Sequence, residues 1–191
     1  MYSTITLPKS VINLYRFASK EECRVGLQHV RIEFTEGSTV ATAVATDGHR
    51  LAYLEFETGA VQPITGVVYI KANVLKAVKL GKDGVAVLRE GCIVAMVKGV
   101  QTRHSAAYDL DGQGYPQWRQ CAEAAPGDDD HAVNTIGVNA RYLADFADYL
   151  KASGIKESIT FHMPSDSMSA MRLTAADTEY PVIYVLMPCR V

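Results

Sequence analysis

The sequence predicts an α+β fold built from three βαβββ modules. Three observations lead there. Short runs of β-favouring apolar residues alternate with helix-compatible stretches, in the same order, three times. Apolar residues also fall at matching places in each copy. Leu7, Ile70 and Val138 end a first strand; Ile12, Leu75 and Leu143 lie five residues on; Tyr15, Val78 and Phe146 lie three further. The copies are thus 63 and then 68 residues apart, a period that marks a repeated supersecondary unit. Finally, Asp47-Gly48 joins two apolar runs, and glycine accepts the positive φ of a tight hairpin.

The first module opens with a strand over residues 3–7. Pro8 suits the first turn of a helix, where its missing N–H has no intrahelical partner. Val11, Ile12, Leu14, Tyr15 and Phe17 carry that helix to about Ala18, and strands follow over 27–34, 40–45 and 51–56. The second module is a strand over 67–70, a helix over 71–80 stopped by Gly81, and strands over 85–88, 93–97 and 102–108. The third is a strand over 135–138 and a helix over 140–152 with Gly154 as C-cap. Strands over 158–162, 170–174 and 182–187 complete it. Between the second and third copies, residues 121–133 hold Pro126-Gly127 and Asp128-Asp129-Asp130, an exposed acidic linker. Residues 1–125 then form a two-module domain and residues 133–191 a third module. One βαβββ module covers one sheet face with one helix, so two can share a core. The third has to pack across the linker or against another chain.

Composition narrows the function. Of 191 residues, 48% are hydrophobic and 21% charged, which suits one large or two small globular domains. No apolar run reaches the ~20 residues that span a bilayer, and no basic-then-apolar leader opens the chain. Cys23, Cys92, Cys121 and Cys189 form no Cys-x-x-Cys, so reduced thiols in a cytoplasmic protein are expected. A net charge of −2 argues against nucleic-acid binding by bulk electrostatics. Residues 1–60, 61–120 and 121–191 carry −1, +4 and −5, which leaves room for a local basic face. No catalytic residue, metal ligand set or cofactor is expected. Asp128-Asp129-Asp130-His131 sits in the linker without a second ligand set. Neither His104-Ser105 nor Asp47/His49 forms a nucleophile–base–orienter set, and no Gly-rich phosphate loop occurs.

Three segments carry a family resemblance. Ala45-Thr46-Asp47-Gly48-His49-Arg50-Leu51-Ala52, Tyr115-Pro116-Gln117-Trp118-Arg119 and Tyr184-Val185-Leu186-Met187-Pro188-Cys189-Arg190-Val191 occur in this order. Together they resemble the bacterial DNA polymerase III β subunit, the sliding clamp. Residues 1–125 look like the clamp's middle domain and residues 133–191 like the second half of its last domain. The resemblance implies a DNA-clamp fold and a non-enzymatic processivity factor that tethers polymerase or repair proteins to double-stranded DNA. The usual clamp subunit has six modules and closes as a dimer. Three modules imply a homo-oligomer of more copies, four chains for twelve modules. The alternative is a regulatory or decoy module that binds clamp-interaction motifs and encircles nothing.

The same resemblance implies a groove for partner peptides formed by Leu27, Thr46, Gly48, His49, Arg50, Leu51, Pro116, Cys121, Val185, Met187, Pro188, Cys189 and Arg190. Chemically, Leu51, Val185 and Met187 supply an apolar floor, methionine adapting to shape. Pro116 and Pro188 stiffen the rim, Gly48 admits a peptide backbone, and His49 and Arg50 offer donors. Cys121, Cys189 and Val191 are smaller than the family's usual side chains, which implies a wider pocket. The DNA-facing cations implied are Arg16, Lys20, Arg24, Lys71, Lys76 and Lys79, with Lys9 and Lys82 beside them. They would contact phosphates without reading bases. On the third helix, Asp145 and Asp148 would repel DNA.

Overall fold

The computed structural model describes residues 4–60, 65–80, 84–89, 92–97, 100–105, 114–123, 136–156, 158–166, 168–175 and 181–189. β1 (Ile5–Leu7) turns Ile5 and Leu7 inward and Thr6 outward. Pro8 takes the N-cap position, extended at φ −66°, one residue before the place expected for it. The helix that follows is shorter than its apolar pattern suggests. α1 (Lys9–Asn13) gives way to a 3-10 turn over Leu14–Phe17. Asn13 Nδ2 donates to the Lys9 carbonyl at 2.8 Å, so its side chain competes for the acceptor its own N–H takes in an α-helix. A second 3-10 turn, Val25–Gln28, delays β2 (His29–Phe34) by two residues. β3 (Val40–Thr46) and β4 (Arg50–Glu57) form the expected hairpin.

β5 (Gly66–Lys71) runs directly into α2 (Ala72–Ala77), which ends where Val78 turns extended, short of the expected residue 80. β6 (Gly84–Arg89), β7 (Cys92–Val97) and β8 (Val100–Ser105) follow, and residues 106–108 of the expected last strand lie outside the described residues. α3 (Trp118–Glu123) takes up the start of the stretch expected as linker; residues 124–135, with the Asp128–Asp130 run and His131, lie outside the described residues. The third segment departs from the pattern at its start. Of the strand expected over 135–138, residue 135 lies outside the described residues, and 136–138 form one bridge, Gly137 to Cys189. α4 (Ala140–Ser153) is capped by the Asn139 side chain, which accepts from the Arg141 N–H at 2.9 Å. It stops at Gly154, left-handed at φ +83°. β9 (Ile159–His162), β10 (Met171–Ala175) and β11 (Val182–Leu186) complete the chain.

The strands form two antiparallel sheets, in the orders β1-β6-β7-β8 and β5-β2-β3-β4-β11-β10-β9. First strands are exchanged between neighbouring segments. β1 pairs with β6 (Thr6 opposite Val87), and β5 pairs with β2 (Ile70 opposite Val30). β11 extends the larger sheet by pairing with β4, Val185 opposite Leu51. The third segment therefore packs onto the first through a main-chain ladder. α4 lies against α1 and the 3-10 turn of the first segment. Between them Phe17, Phe146, Tyr149 and Tyr184 are fully buried, with the Phe146 and Tyr184 rings stacked at 4.5 Å. Each such ring contributes about 1.5–3 kcal/mol by burial. One apolar core runs beneath both sheets.

Candidate functional site: an outer-face groove and a basic cleft

Sequence dictates the β3–β4 turn in detail. Asp47 Oδ1 accepts from the N–H groups of His49 and Arg50 at 3.0 and 3.2 Å. Thr46 Oγ1 accepts from Gly48 N–H at 3.1 Å and donates to the Arg50 carbonyl at 2.7 Å. Gly48 has φ +92°, and a Cβ there would stand 2.9 Å from Arg24 Nη1, which itself donates to the Asp47 carbonyl. Leu27, half-buried, stands beside the same glycine. His49 is exposed; its ring stacks over Tyr142 at 6.4 Å, and its carbonyl accepts from Met187 N–H at 3.3 Å.

Arg50 is placed differently from its expected part as a donor to an incoming peptide. Its side chain is only 6% exposed. Nε donates to Asp47 Oδ2 at 2.9 Å, Nη1 to Asp145 Oδ2 at 2.7 Å, and Nη2 to the Arg16 carbonyl at 3.3 Å. The guanidinium also lies 4.7 Å from the Tyr142 ring and 5.5 Å from Phe17. Burial alone disfavours its charge, but Tyr184 and the two carboxylates outweigh burial and hold it protonated. Arg50 thus ties the hairpin, the first 3-10 turn and α4 together. Asp145 is ion-paired, but Arg50 is shared with Asp47 and the Asp145 side chain keeps 34% exposure; Asp148 is exposed.

Alternation along the strands turns Ala45, Ala52 and Tyr184 into the core and Val44, Leu51 and Val185 to the opposite face. Those three form a second buried cluster with Trp118 and Ala170, flanked by Tyr53, Tyr115, Ala122 and Ile183. Residues 115–123 are fastened onto this face. Tyr115 donates its hydroxyl proton to the Val44 carbonyl at 3.0 Å, and Trp118 Nε1 donates to Glu33 Oε1 at 2.9 Å. Arg119 pairs with Glu33, and Arg31 Nε lies 2.7 Å from the same carboxylate. Burial pushes the Glu33 carboxyl up, but the hydrogen bonds from Arg119 and Trp118 and the charge of Arg31 prevail and hold it below the ordinary range. Arg31, Glu33 and Trp118 were missed as site residues. Their signal was present: Arg31 and Glu33 alternate with Val30 and Ile32, which puts two charges on one face of a strand.

Of the other expected groove residues, Thr46, Leu51 and Val185 are buried in this face. Pro116 and Cys121 are exposed on the segment that covers it. Met187 is 47% exposed, Pro188 half-buried and Cys189 exposed. Arg190, like Val191, lies outside the described residues. All four cysteines are free thiols.

On the helical side, a cleft of about 620 Å³ gathers four expected cations, Arg16, Lys20, Lys71 and Lys76. Glu22 and Asp145 also line it. Arg24 stands apart, its Nε paired with Glu21 at 2.8 Å and its Nη1 on the hairpin. Lys9 and Lys79 are exposed without lining the cleft, and Lys82 lies outside the described residues. Among the described residues no cluster of metal-ligating side chains occurs, and no helix is long and apolar enough to cross a membrane.

No protein-family model matches the chain, and no curated protein matches it in sequence. Solved structures do match it in shape. A Caulobacter crescentus β sliding clamp is 20% identical with a TM-score of 0.64, over 98% of this chain and 65% of that one. A Pseudomonas aeruginosa DNA polymerase III subunit β is 17% identical at 0.66, over 98% and 66%. A Thermotoga maritima DNA polymerase III β subunit is 15% identical at 0.60, over 99% and 66%. The chain spans just under two thirds of the length of these proteins. At such identities the likeness speaks for architecture, and it is unambiguous there: this chain has the fold of the bacterial sliding clamp.

Proposed function

We propose that the protein is a sliding-clamp-like processivity factor, an accessory subunit without chemistry of its own. It tethers DNA polymerase or repair proteins to duplex DNA through a peptide groove on the outer face. The observation that carries this reading is the separation of two surfaces by one sheet. Val44, Leu51 and Val185 meet Trp118 of residues 115–123 on the sheet face opposite α4, while the turn of the 46–51 hairpin sits at the end of the sheet, where Arg50 reaches Asp145. The basic cleft lies on the helical side, beside α2 and the first 3-10 turn. A protein that faces DNA with its helices and partners with its sheet needs that division.

Encirclement by a chain of this length calls for several copies. The second reading, a module that binds clamp-interaction motifs without enclosing DNA, draws on Glu22 and Asp148, carboxylates that dilute the positive face.

The groove is tested with a fluorescent clamp-binding peptide. Affinity is expected near ~1–10 µM, a usual range for a short peptide of roughly −7 to −8 kcal/mol. Met187→Asp, at an exposed position, should weaken it by about tenfold or more without loss of fold. Equal affinity in wild type and Met187→Asp would remove the groove assignment from both readings.

A further inference from the structure

Each of the first two segments sends its first strand to the other. β5 caps the outer edge of β2, and β1 caps the outer edge of β6. The core-facing residues of both capped strands are sealed: Val30 and Ile32 at 0%, Phe34 at 7%, Ala86 at 0% and Leu88 at 3% exposure. β9 is the counterpart of β2 and β6 in the third segment, since each is the first strand after the segment's helix. It ends its sheet, with β10 as its one neighbour among the described residues. Phe161 lies opposite Leu173, which is fully buried in the core, so Phe161 points to the core side of the sheet. Yet Phe161 is 49% exposed. On the same segment a concavity of about 320 Å³ opens between α4 and β9, lined by Ala147, Leu150, Ile155 and Ile159 with Lys151, Gly154 and Lys156. The strand carries no charge and no proline, the usual protections of an edge that stays free.

The matching donor is also in place. In the first segment, Thr6 is tied on one side to Thr58, just past its own last strand, and on the other to β6. In the third, Gly137 is tied to Cys189, just past β11, by a 2.8 Å bond, and its other side has no strand among the described residues. An acceptor edge and a half-tied donor strand, each open among the described residues and both on the same segment, are self-complementary.

We infer that two copies of this chain associate through their third segments. Residues 136–138 of each copy add to β9 of the other, antiparallel, as β1 adds to β6. The occupant of the Phe161 surface is then a second copy, and the contact is two-fold symmetric because donor and acceptor are reciprocal. The clamp reading asks only that some oligomer form; the exchange stands on the strand topology of the chain itself.

Sedimentation of the full chain, with hydrogen exchange read at residues 158–162, tests it. The expected mass is that of two chains or an even multiple, with β9 amides protected. Phe161→Lys should halve the mass and release that protection while circular dichroism stays unchanged. Should Phe161→Lys fail to fold, Phe161→Ser makes the same test with a smaller perturbation. A single-chain mass for the wild type even in concentrated solution overturns the inference, as does a mass that neither substitution changes. A chain that stays single alone and pairs only with another βαβββ protein overturns the choice of occupant. Peptide binding separates this from the clamp reading, because the groove lies within one chain. Phe161→Lys should bind the clamp peptide as the wild type does; a dimer that binds no peptide counts against the groove alone.

Discussion

Glu33 receives Trp118 and Arg119 and faces Arg31, so one carboxylate fastens residues 115–123 to the outer face. Its folded pKa lies below the ordinary value. Its stabilising contribution is therefore complete above the unfolded glutamate range, near pH ~4.3, and disappears as pH falls through the lowered folded value. Trp118 is the only tryptophan, so its emission reports this contact directly. Acidification should red-shift that emission before the core unfolds, and Glu33→Gln should be less stable at pH 7 with a flatter acid limb. An acid titration in which Glu33→Gln retraces the wild type would show that the carboxylate does not hold the segment. Residues like these show how far one-dimensional reading reaches. The Asp47-Gly48 turn was legible because turn chemistry is local. The duty of Arg50 was not, because Asp145, which neutralises it, is 95 residues away.

Among the elements, α4 and most strands followed their patterns; the short helices and the strand expected over 135–138 did not. α4 has a capping asparagine and a C-terminal glycine, so its ends are written in neighbouring residues. α1 and α2 have no side-chain cap and stop early, because their extent is set by what they pack on rather than by their own sequence. Two of the positive-φ glycines, Gly154 and Gly48, should respond differently to alanine. At Gly154 (φ +83°) nothing lies within 4 Å of the added Cβ, so the cost is backbone strain alone, about 1 kcal/mol. At Gly48 the same strain is joined by displacement of Arg24 from the Asp47 carbonyl. Urea denaturation should rank Gly48→Ala as the more destabilising. Equal midpoints would mean that Arg24 contributes nothing to the turn.

For the whole molecule, the alternation of strands and helices was readable but the exchange of strands was not: an apolar run tells that β1 exists, not which sheet it joins. The basic cleft was half readable. Residues 61–120 carry the positive charge, and the fold brings Lys71 and Lys76 to Arg16 and Lys20, while Arg24 is withdrawn to the hairpin. If the helical side meets duplex DNA, binding should fall with salt and ignore sequence. Lys71→Glu with Lys76→Glu should lower the slope of log affinity against log salt by about 2, roughly one per lost phosphate contact. A slope equal to that of the wild type would place the DNA elsewhere.

Strand exchange also sets a timetable for synthesis. Ile5 pairs with Leu88, so the first strand emerges some eighty residues before its sheet exists. At about 5–20 residues per second, the N-terminus waits on the order of ten seconds with its apolar side chains uncovered. The outer edge of β4 waits longer still, since its partner Val185 follows Leu51 by more than a hundred residues. The nascent chain is thus an unfinished sheet for most of its time on the ribosome. A strand from a neighbouring nascent copy on the same message could meet it there before its own does.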